Sequence, residues 1–293
     1  MIGVDWGTAR LRAFRITADG TIRDRRDVPR GIQTLPDGRY SDTLREEIGP
    51  WLAAGEDRVL LSGVIGSRQG WKETPYVPCP AGAAELAAAL VDVPFTWARV
   101  KLVPGLSTSG ETGVPDVMRG EETQVIGVLA AFGGGGIACL PGTTSKWARV
   151  ENGRIIRFTT HMTGEAYAAL GSHTILARMM REGAPDPAAF DAGVTRSGEP
   201  GGLLHHVFGV RALGLAGQLD DAACASYLSG ILIGHEVRAA IPAPGTVVHV
   251  IGTPELTALY ARAIAACGGY AERHDGEAAA RGLALIGGHA AWG

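Results

Sequence analysis

The stretch GVDWGTARLRAFRITADGTIRD, residues 3–24, has a degenerate second copy in LPGTTSKWARVENGRIIRF, residues 140–158. In the first copy an apolar run from Ile2 to Trp6 carries Asp5, meets Gly7-Thr8, and resumes alternation through Leu11, Ala13, Phe14 and Ile16. That pattern is strand, tight turn, strand. Ala18-Asp19-Gly20 supplies turn chemistry, and Thr21–Val28 returns as a third strand. In the second copy Gly142-Thr143 falls on Gly7-Thr8, and Glu151-Asn152-Gly153 on the second turn. One Gly-Thr coincidence means little. The same pair followed by a hairpin at matching spacing, close to half the chain away, points to two related domains. Asp5 has no counterpart, because Leu140 holds the aligned position. Burying an unpaired carboxylate is costly, so Asp5 either lies exposed at a strand end or holds something positive.

Composition agrees with two domains. A chain of 293 residues exceeds one small core, and 46% hydrophobic residues is ordinary for a globular protein. The net charge of −3, with Lys and Arg scattered, gives no basic face for nucleic acid and no polybasic run for a membrane surface. The longest uncharged stretch, about 125–141, is broken by Gly133–Gly136. It reads as a helix end, a flexible connection near a hinge and a strand, not a membrane span. Cys79, Cys139, Cys224 and Cys267 lie far apart without metal-ligand spacing, the pattern of reduced thiols. The structural pattern starts at Ile2 with no signal peptide before it, so the expected location is the cytoplasm.

Periodicity predicts helices over 41–51, 81–90, 120–132, 165–178, 220–240, 256–266 and 277–286. It predicts further strands over 58–65, 101–103 and 247–251, the first apolar on both faces and therefore parallel and central. Each half thus reads as three antiparallel strands followed by alternating helices and strands. Two such domains facing each other leave a cleft with both Gly-Thr turns pointing into it.

A Gly-Thr at a tight turn offers backbone N–H groups with no Cβ in the way, plus a hydroxyl, a concave array for phosphate oxygens. A lone example is an ordinary turn; two in symmetric positions can hold a polyphosphate from opposite walls. An acid beside such a loop suits Mg2+, which binds largely through its waters. VVHVIGTPELTALYARAI, residues 247–264, adds a strand, then Gly252-Thr253-Pro254, then a helix. Pro254 suits the first helical turn and Gly252 admits a flat ring, so this element is either an adenosine platform or a plain strand-to-helix connection. There is no GxxxxGK[ST], and the Gly133–Gly136 run precedes a strand instead of opening a helix, opposite to the dinucleotide-binding order.

On these residues the chain resembles the superfamily of sugar kinases, hexokinases, heat-shock ATPases and actin. More closely, DWGTARLRAF (5–14), SGVIGSRQGWKETPYVPCPA (62–81), VPDVMRGEETQVIG (114–127), LPGTTSKWARVENGRI (140–155) and FTTHMTGEAYAAL (158–170) resemble the 2-dehydro-3-deoxygalactonokinase family. The match runs in order over most of the chain, with Glu182–Leu219 less distinctive. The resemblance implies an α/β fold of two ribonuclease-H-like domains with mixed sheets, flanking a nucleotide cleft. Residues 1–120 would bind sugar acid and phosphate, residues 121–293 would bind ATP, and a helix of about 121–132 would link them. It implies ATP-dependent phosphorylation of the C6 hydroxyl of 2-dehydro-3-deoxy-D-galactonate with Mg2+, by a monomer or homodimer with no nucleic-acid or membrane partner.

By the same resemblance Asp5, Gly7, Thr8 and Arg10 form the first phosphate element, with Asp5 toward the metal. Gly142, Thr143, Thr144 and Ser145 form the second, followed by Lys146, while Gly252 and Thr253 contact adenosine. The substrate-side positions are Ser67, Arg68, Gln69, Gly70, Trp71 and Tyr76, together with Gly120, Glu121 and Glu122. Relatives place Asp as the base where this chain offers Glu, so the proton acceptor stands open among Glu121, Glu122 and Asp116.

Glu121 is the expected acceptor, since a helix start favours a carboxylate, although acids there also serve stability alone. Arg68 can fork onto the substrate carboxylate or pair with Glu73 on the surface. Trp71 and Tyr76 either wall the sugar-acid pocket or pack the core. Lys146 either reaches a phosphate or is a solvated strand-end lysine. Rival activities are a kinase for the gluconate epimer, a polyphosphate phosphatase of the same superfamily, and a non-catalytic sugar-acid sensor. Asp5 with both Gly-Thr turns speaks against the sensor.

Overall fold

The opening copy folds into β1 (Ile2–Trp6), β2 (Leu11–Ile16) and β3 (Ile22–Val28) in a computed structural model that describes all residues except 18, 19, 37, 111, 112, 182 and 293. Then come α1 (Tyr40–Ala53), β4 (Arg58–Ser62), β5 (Tyr76–Pro78), α2 (Ala83–Ala88), β6 (Val91–Val93), β7 (Arg99–Leu102), β8 (Gly105–Ser109), β9 (Pro115–Met118) and α3 (Glu121–Gly127). The second copy forms β10 (Gly135–Leu140), β11 (Ser145–Glu151) and β12 (Arg154–His161). After it follow α4 (Thr163–His173), α5 (Pro187–Arg196), α6 (Gly202–Leu215), α7 (Asp221–Ala240), β13 (Val247–Ile251), α8 (Pro254–Ala266), β14 (Tyr270–His274) and α9 (Ala278–His289). Of the first predicted turn, Ala18 and Asp19 lie outside the described residues.

The two copies build sheets of the same strand order. One runs β3-β2-β1-β4-β7-β6 and the other β12-β11-β10-β13-β14. In the first, β1–β3 is an antiparallel meander and β1, β4 and β7 are parallel neighbours. In the second, β10, β13 and β14 are parallel. The α/β fold with two ribonuclease-H-like sheets is therefore the architecture. Burial follows the order: β1 is buried along its whole length between two neighbours, whereas β3, an edge, is IRDRRDV with five exposed residues in its middle. A third sheet, β5-β8-β9, belongs to the first half alone.

The chain divides into two compact units, one of Met1–Gly136, Ala148–Thr159 and Gly276–Gly293, the other of Ile137–Trp147 and Thr160–Asp275. This differs from a boundary at 120/121 with a linking helix. α3 ends at Gly127, a 3-10 turn covers Leu129–Phe132, and α3 packs on α9 inside the first unit. The packing is backbone-close: a Cβ on Gly127 would lie 1.8 Å from the Ala278 carbonyl, and one on Gly282 would lie 1.8 Å from that of Thr123. Gly133 and Gly134 take positive φ, while Gly135 and Gly136 already belong to β10, so the glycine run is a helix stop and a strand start.

The first unit's core gathers Ile2, Val4, Trp6, Leu44, Ile48 and Leu61. The second unit has one core around Cys139, Val248, Val250 and Tyr260, and another among α5, α6 and α7 around Val210, Tyr227 and Ile231. All four cysteines are free. Among the described residues no helix is long and apolar enough to cross a membrane.

Candidate active site

In the first unit the site starts from Asp5, which is only 7% exposed. Its register partner on β2 is Arg12, whose Nη2 donates to Oδ2. The acid therefore holds a positive group from its own chain. Oδ1 faces Gly63, where a Cβ would lie 3.2 Å away. Gly63 follows β4 with φ of 99°, and a Cβ on Gly120 would stand 3.0 Å from its Cα. Two residues without side chains thus let the start of α3 close on the end of β4 beside Asp5. The result gathers Asp5, Glu121 and Glu122 at the C-terminal ends of parallel strands, where open α/β sheets bind ligands. Ser62, paired in register with Asp5, has a buried hydroxyl with no hydrogen-bond partner.

The neighbouring acids differ in burial. Glu122 is 0% exposed; the Gly120 N–H donates to its Oε2 at 2.7 Å and the Thr123 hydroxyl to its Oε1 at 3.0 Å. Burial first, then the nearby Glu121, pushes the Glu122 carboxyl up to about 8. A carboxyl that keeps its proton near neutral pH is a poor proton acceptor. Glu121 is partly exposed, and its Oε2 accepts the Arg119 N–H at 3.0 Å. Asp116 sits on β9 of the third sheet, opposite Thr108, with Oδ1 accepting the Val117 N–H at 2.8 Å.

The Gly-Thr turns share a construction that alignment of the copies does not reveal. At the first, the Gly7 N–H donates to the Arg10 carbonyl at 2.9 Å, and the Gln33 N–H donates to the Thr8 carbonyl at 3.1 Å. Gly31 backs the turn, since a Cβ there would lie 2.2 Å from that carbonyl. In the second unit the Glu165 N–H donates to the Thr143 carbonyl at 2.8 Å, and a Cβ on Gly164 would lie 2.4 Å from the Gly142 carbonyl. Each turn is thus braced by a glycine and an amide from a later segment. At the second turn the brace is the first turn of α4, whose N-terminal dipole favours anions.

Several side chains read as site residues are committed elsewhere. Arg10 pairs with exposed Asp27 at 2.7 Å. Ser145 is fully buried with its hydroxyl 2.8 Å from the Tyr260 hydroxyl. Tyr260 donates to Glu236 at 2.8 Å, so Ser145 donates to Tyr260, and Trp147 completes the network on Glu236 at 2.7 Å. Burial raises the Tyr260 phenol far above its ordinary value. Lys146 is 5% exposed and donates to Thr144 Oγ1 at 3.0 Å, which removes the solvated-lysine reading.

Gly252 stands beside the second turn, where a Cβ would lie 3.8 Å from the Pro141 ring. Thr253 caps α8, its hydroxyl accepting from the Leu256 N–H at 3.4 Å, with Pro254 in the first turn. A cavity of about 1020 Å³ opens in this unit, lined by Tyr167 and Gly171 of α4, Phe190 of α5, Ser226 of α7, and Glu255 and Leu259 of α8. Its size and largely apolar walls suit a nucleoside.

Of the residues read as meeting the sugar acid, Arg68 is 82% exposed at its side chain and lies 3.7 Å from Glu73, so the surface pair is what forms. Trp71 packs between Tyr40 and Phe95, with centroids at 6.5 and 6.2 Å. Gln69 accepts the Tyr40 hydroxyl on its carbonyl at 2.9 Å, and Ser67 accepts the Gly70 N–H at 2.9 Å. Tyr76 is exposed and carries the Arg119 guanidinium 4.4 Å above its ring. Sequence pattern does not single out Arg119, one cation among many; its signal is its place immediately before the Gly120-Glu121-Glu122 corner.

A profile of the 2-keto-3-deoxy-galactonokinase family matches residues 5–286. A probable 2-dehydro-3-deoxygalactonokinase of Rhizobium meliloti (strain 1021) is 34% identical over 99% of this chain and 96% of its own length. The 2-dehydro-3-deoxygalactonokinase of Escherichia coli (strain K12) is 32% identical over 91% of this chain and 90% of its own. A crystal structure from Sinorhizobium meliloti, of a protein provisionally described as a 2-dehydro-3-deoxygalactonokinase, superposes with a TM-score of 0.90 at 34% identity over 97% of both chains. The activator of the 2-hydroxyisocaproyl-CoA dehydratase from Clostridium difficile, at 12% identity and a TM-score of 0.52, shares the fold alone. With the profile spanning nearly all of the sequence and both relatives covering it at this identity, the chain belongs to the 2-keto-3-deoxy-galactonokinase family.

Proposed function

We propose that the protein is an ATP-dependent 2-dehydro-3-deoxygalactonokinase that phosphorylates the C6 hydroxyl of 2-dehydro-3-deoxy-D-galactonate in the cytoplasm. The observation that carries this reading is the corner made by Gly63 and Gly120, which brings Glu121 to the strand end that bears Asp5. Phosphoryl transfer asks the protein for positioning, charge neutralisation and a proton acceptor. The Thr8 backbone amide, and those of Gly142–Thr144, bind phosphoryl oxygens, with Lys146 beside the second turn. The Gly252-Thr253 turn and the cavity next to it take the adenosine.

Asp5 Oδ1 and the orphaned Ser62 hydroxyl fit a hydrated Mg2+, which supplies neutralisation of phosphoryl charge when bound. Glu121 orients the C6 hydroxyl and accepts its proton as the oxygen–phosphorus bond forms and the bond to ADP breaks. Glu122, protonated and hydrogen-bonded to Gly120, fixes the backbone that presents Glu121. Asp116, on another sheet, has no part in the transfer.

An ATP-coupled assay over both 2-dehydro-3-deoxy epimers and their aldonic acids tests this. ADP formation that depends on the galactonate epimer, with the gluconate epimer turned over more slowly, is expected. ATP consumption independent of any acceptor would establish the phosphatase reading instead.

A further inference from the structure

We infer that Arg119 binds the C1 carboxylate of the sugar acid, the task sequence reasoning gave to Arg68; this rests on the activity proposed above. The guanidinium is fixed from three sides. Nη1 donates to Thr74 Oγ1, Nη2 donates to the Thr74 carbonyl at 2.8 Å, and the plane lies 4.4 Å over the Tyr76 ring. Nε is buried and has no hydrogen-bond partner. Room for the group comes from Gly66, where a Cβ would stand 3.1 Å from Nη1. Among the described residues no carboxylate pairs with this guanidinium.

A partly buried cation without a counter-anion is costly, and it is retained where a ligand brings the anion. Thr74 occupies one N–H on each terminal nitrogen. The Nε–H and the second Nη2–H lie side by side on the edge of the guanidinium, unused by Thr74, and form the fork that matches a carboxylate. Arg68 offers the opposite case, an exposed side chain already compensated by Glu73. Position agrees with chemistry: Arg119 precedes Gly120, and its own N–H bonds the Glu121 carboxylate at 3.0 Å. One short segment therefore carries both the acid-binding group and the proton acceptor, so binding at one sets the register for the other. An immobilised planar fork is also selective, since a lysine would keep the charge and lose the paired geometry.

The test is steady-state kinetics of the wild type, Arg119→Gln and Arg119→Lys, each with 2-dehydro-3-deoxy-D-galactonate and with its neutral C1 methyl ester. For Arg119→Gln the KM for the acid rises about 30-fold or more, as expected for a lost charge-assisted pair, while the KM for ATP stays at its wild-type value. The preference for acid over ester disappears in Arg119→Gln and survives in part in Arg119→Lys. Because preference is a ratio within one variant, it is insensitive to the fraction folded. Arg119→Gln keeping the wild-type preference would overturn the assignment and leave the activity standing. A wild type that phosphorylates neither compound would overturn the activity itself, and this inference with it.

Discussion

Glu121 and Glu122 are adjacent and chemically identical, yet one is partly exposed and the other is sealed. Their presence at a helix start was legible in the sequence. Which of them is buried was not, because that is decided by the Gly63–Gly120 approach, a contact between positions 57 apart that no local pattern encodes. Glu121→Gln should lower kcat by about 10²-fold or more while sugar-acid binding by calorimetry is retained; near-normal turnover would remove Glu121 from the mechanism. Glu122 makes a separate prediction through linkage. Its folded pKa is raised from 4.5 to about 8, so the folded state binds the extra proton in that window. Its contribution to stability is full below the unfolded value and is lost as pH rises toward the folded one. Denaturant unfolding should therefore show Glu122→Gln gaining on the wild type from pH 5 to pH 8. A gap that does not change with pH would contradict the buried, protonated state. Arg68→Ala should disturb the sugar-acid KM far less than Arg119→Gln, since it breaks only an exposed pair; the reverse order would restore Arg68 to the site.

The elements were legible where they were long and periodic. β13 falls where alternation placed it, and α7 and α8 start within two residues of their predicted positions. The third sheet was missed because β5 is three residues, β8 five and β9 four, too short to show a period. α5 went unread despite a legible start, an Asp186 cap whose carboxylate accepts from Ala188 and Ala189, followed by Pro187. In α6 the glycines and paired histidines of GLLHHVFGVRALGL hide the apolar face. The braces behind the two Gly-Thr turns were invisible for a different reason: Gly31 and Gly164 matter through contacts with turns in other parts of the chain. Gly164→Ala, with its Cβ driven to 2.4 Å from the Gly142 carbonyl, must displace the second turn. Catalytic efficiency toward ATP should fall by up to about 10²-fold, because small displacements at a positioning site are costly. Unchanged ATP kinetics in a folded variant would show that this turn does not hold phosphate.

At the scale of the whole chain, the repeat seen in two short stretches extends to two sheets of one strand order. What the sequence could not show is which helices join which sheet. α9, the last element, belongs with the first unit because Gly127 and Gly282 let it cross α3 at backbone contact. Since α3 begins at Glu121, that crossing also holds the proposed acceptor in place. Gly282→Ala should cost about 1–3 kcal/mol by overpacking, read as a lower thermal midpoint, with activity lost in parallel. A variant of wild-type stability would mean the crossing is looser than described.

The fate of the γ-phosphoryl group decides between a kinase and its rivals. Phosphorus and carbon NMR of the wild-type enzyme with ATP, Mg2+ and 2-dehydro-3-deoxy-D-galactonate should show ADP and a phosphate ester on C6 formed in equal amounts. Inorganic phosphate with the sugar acid unchanged, or an ester on another carbon, would contradict it.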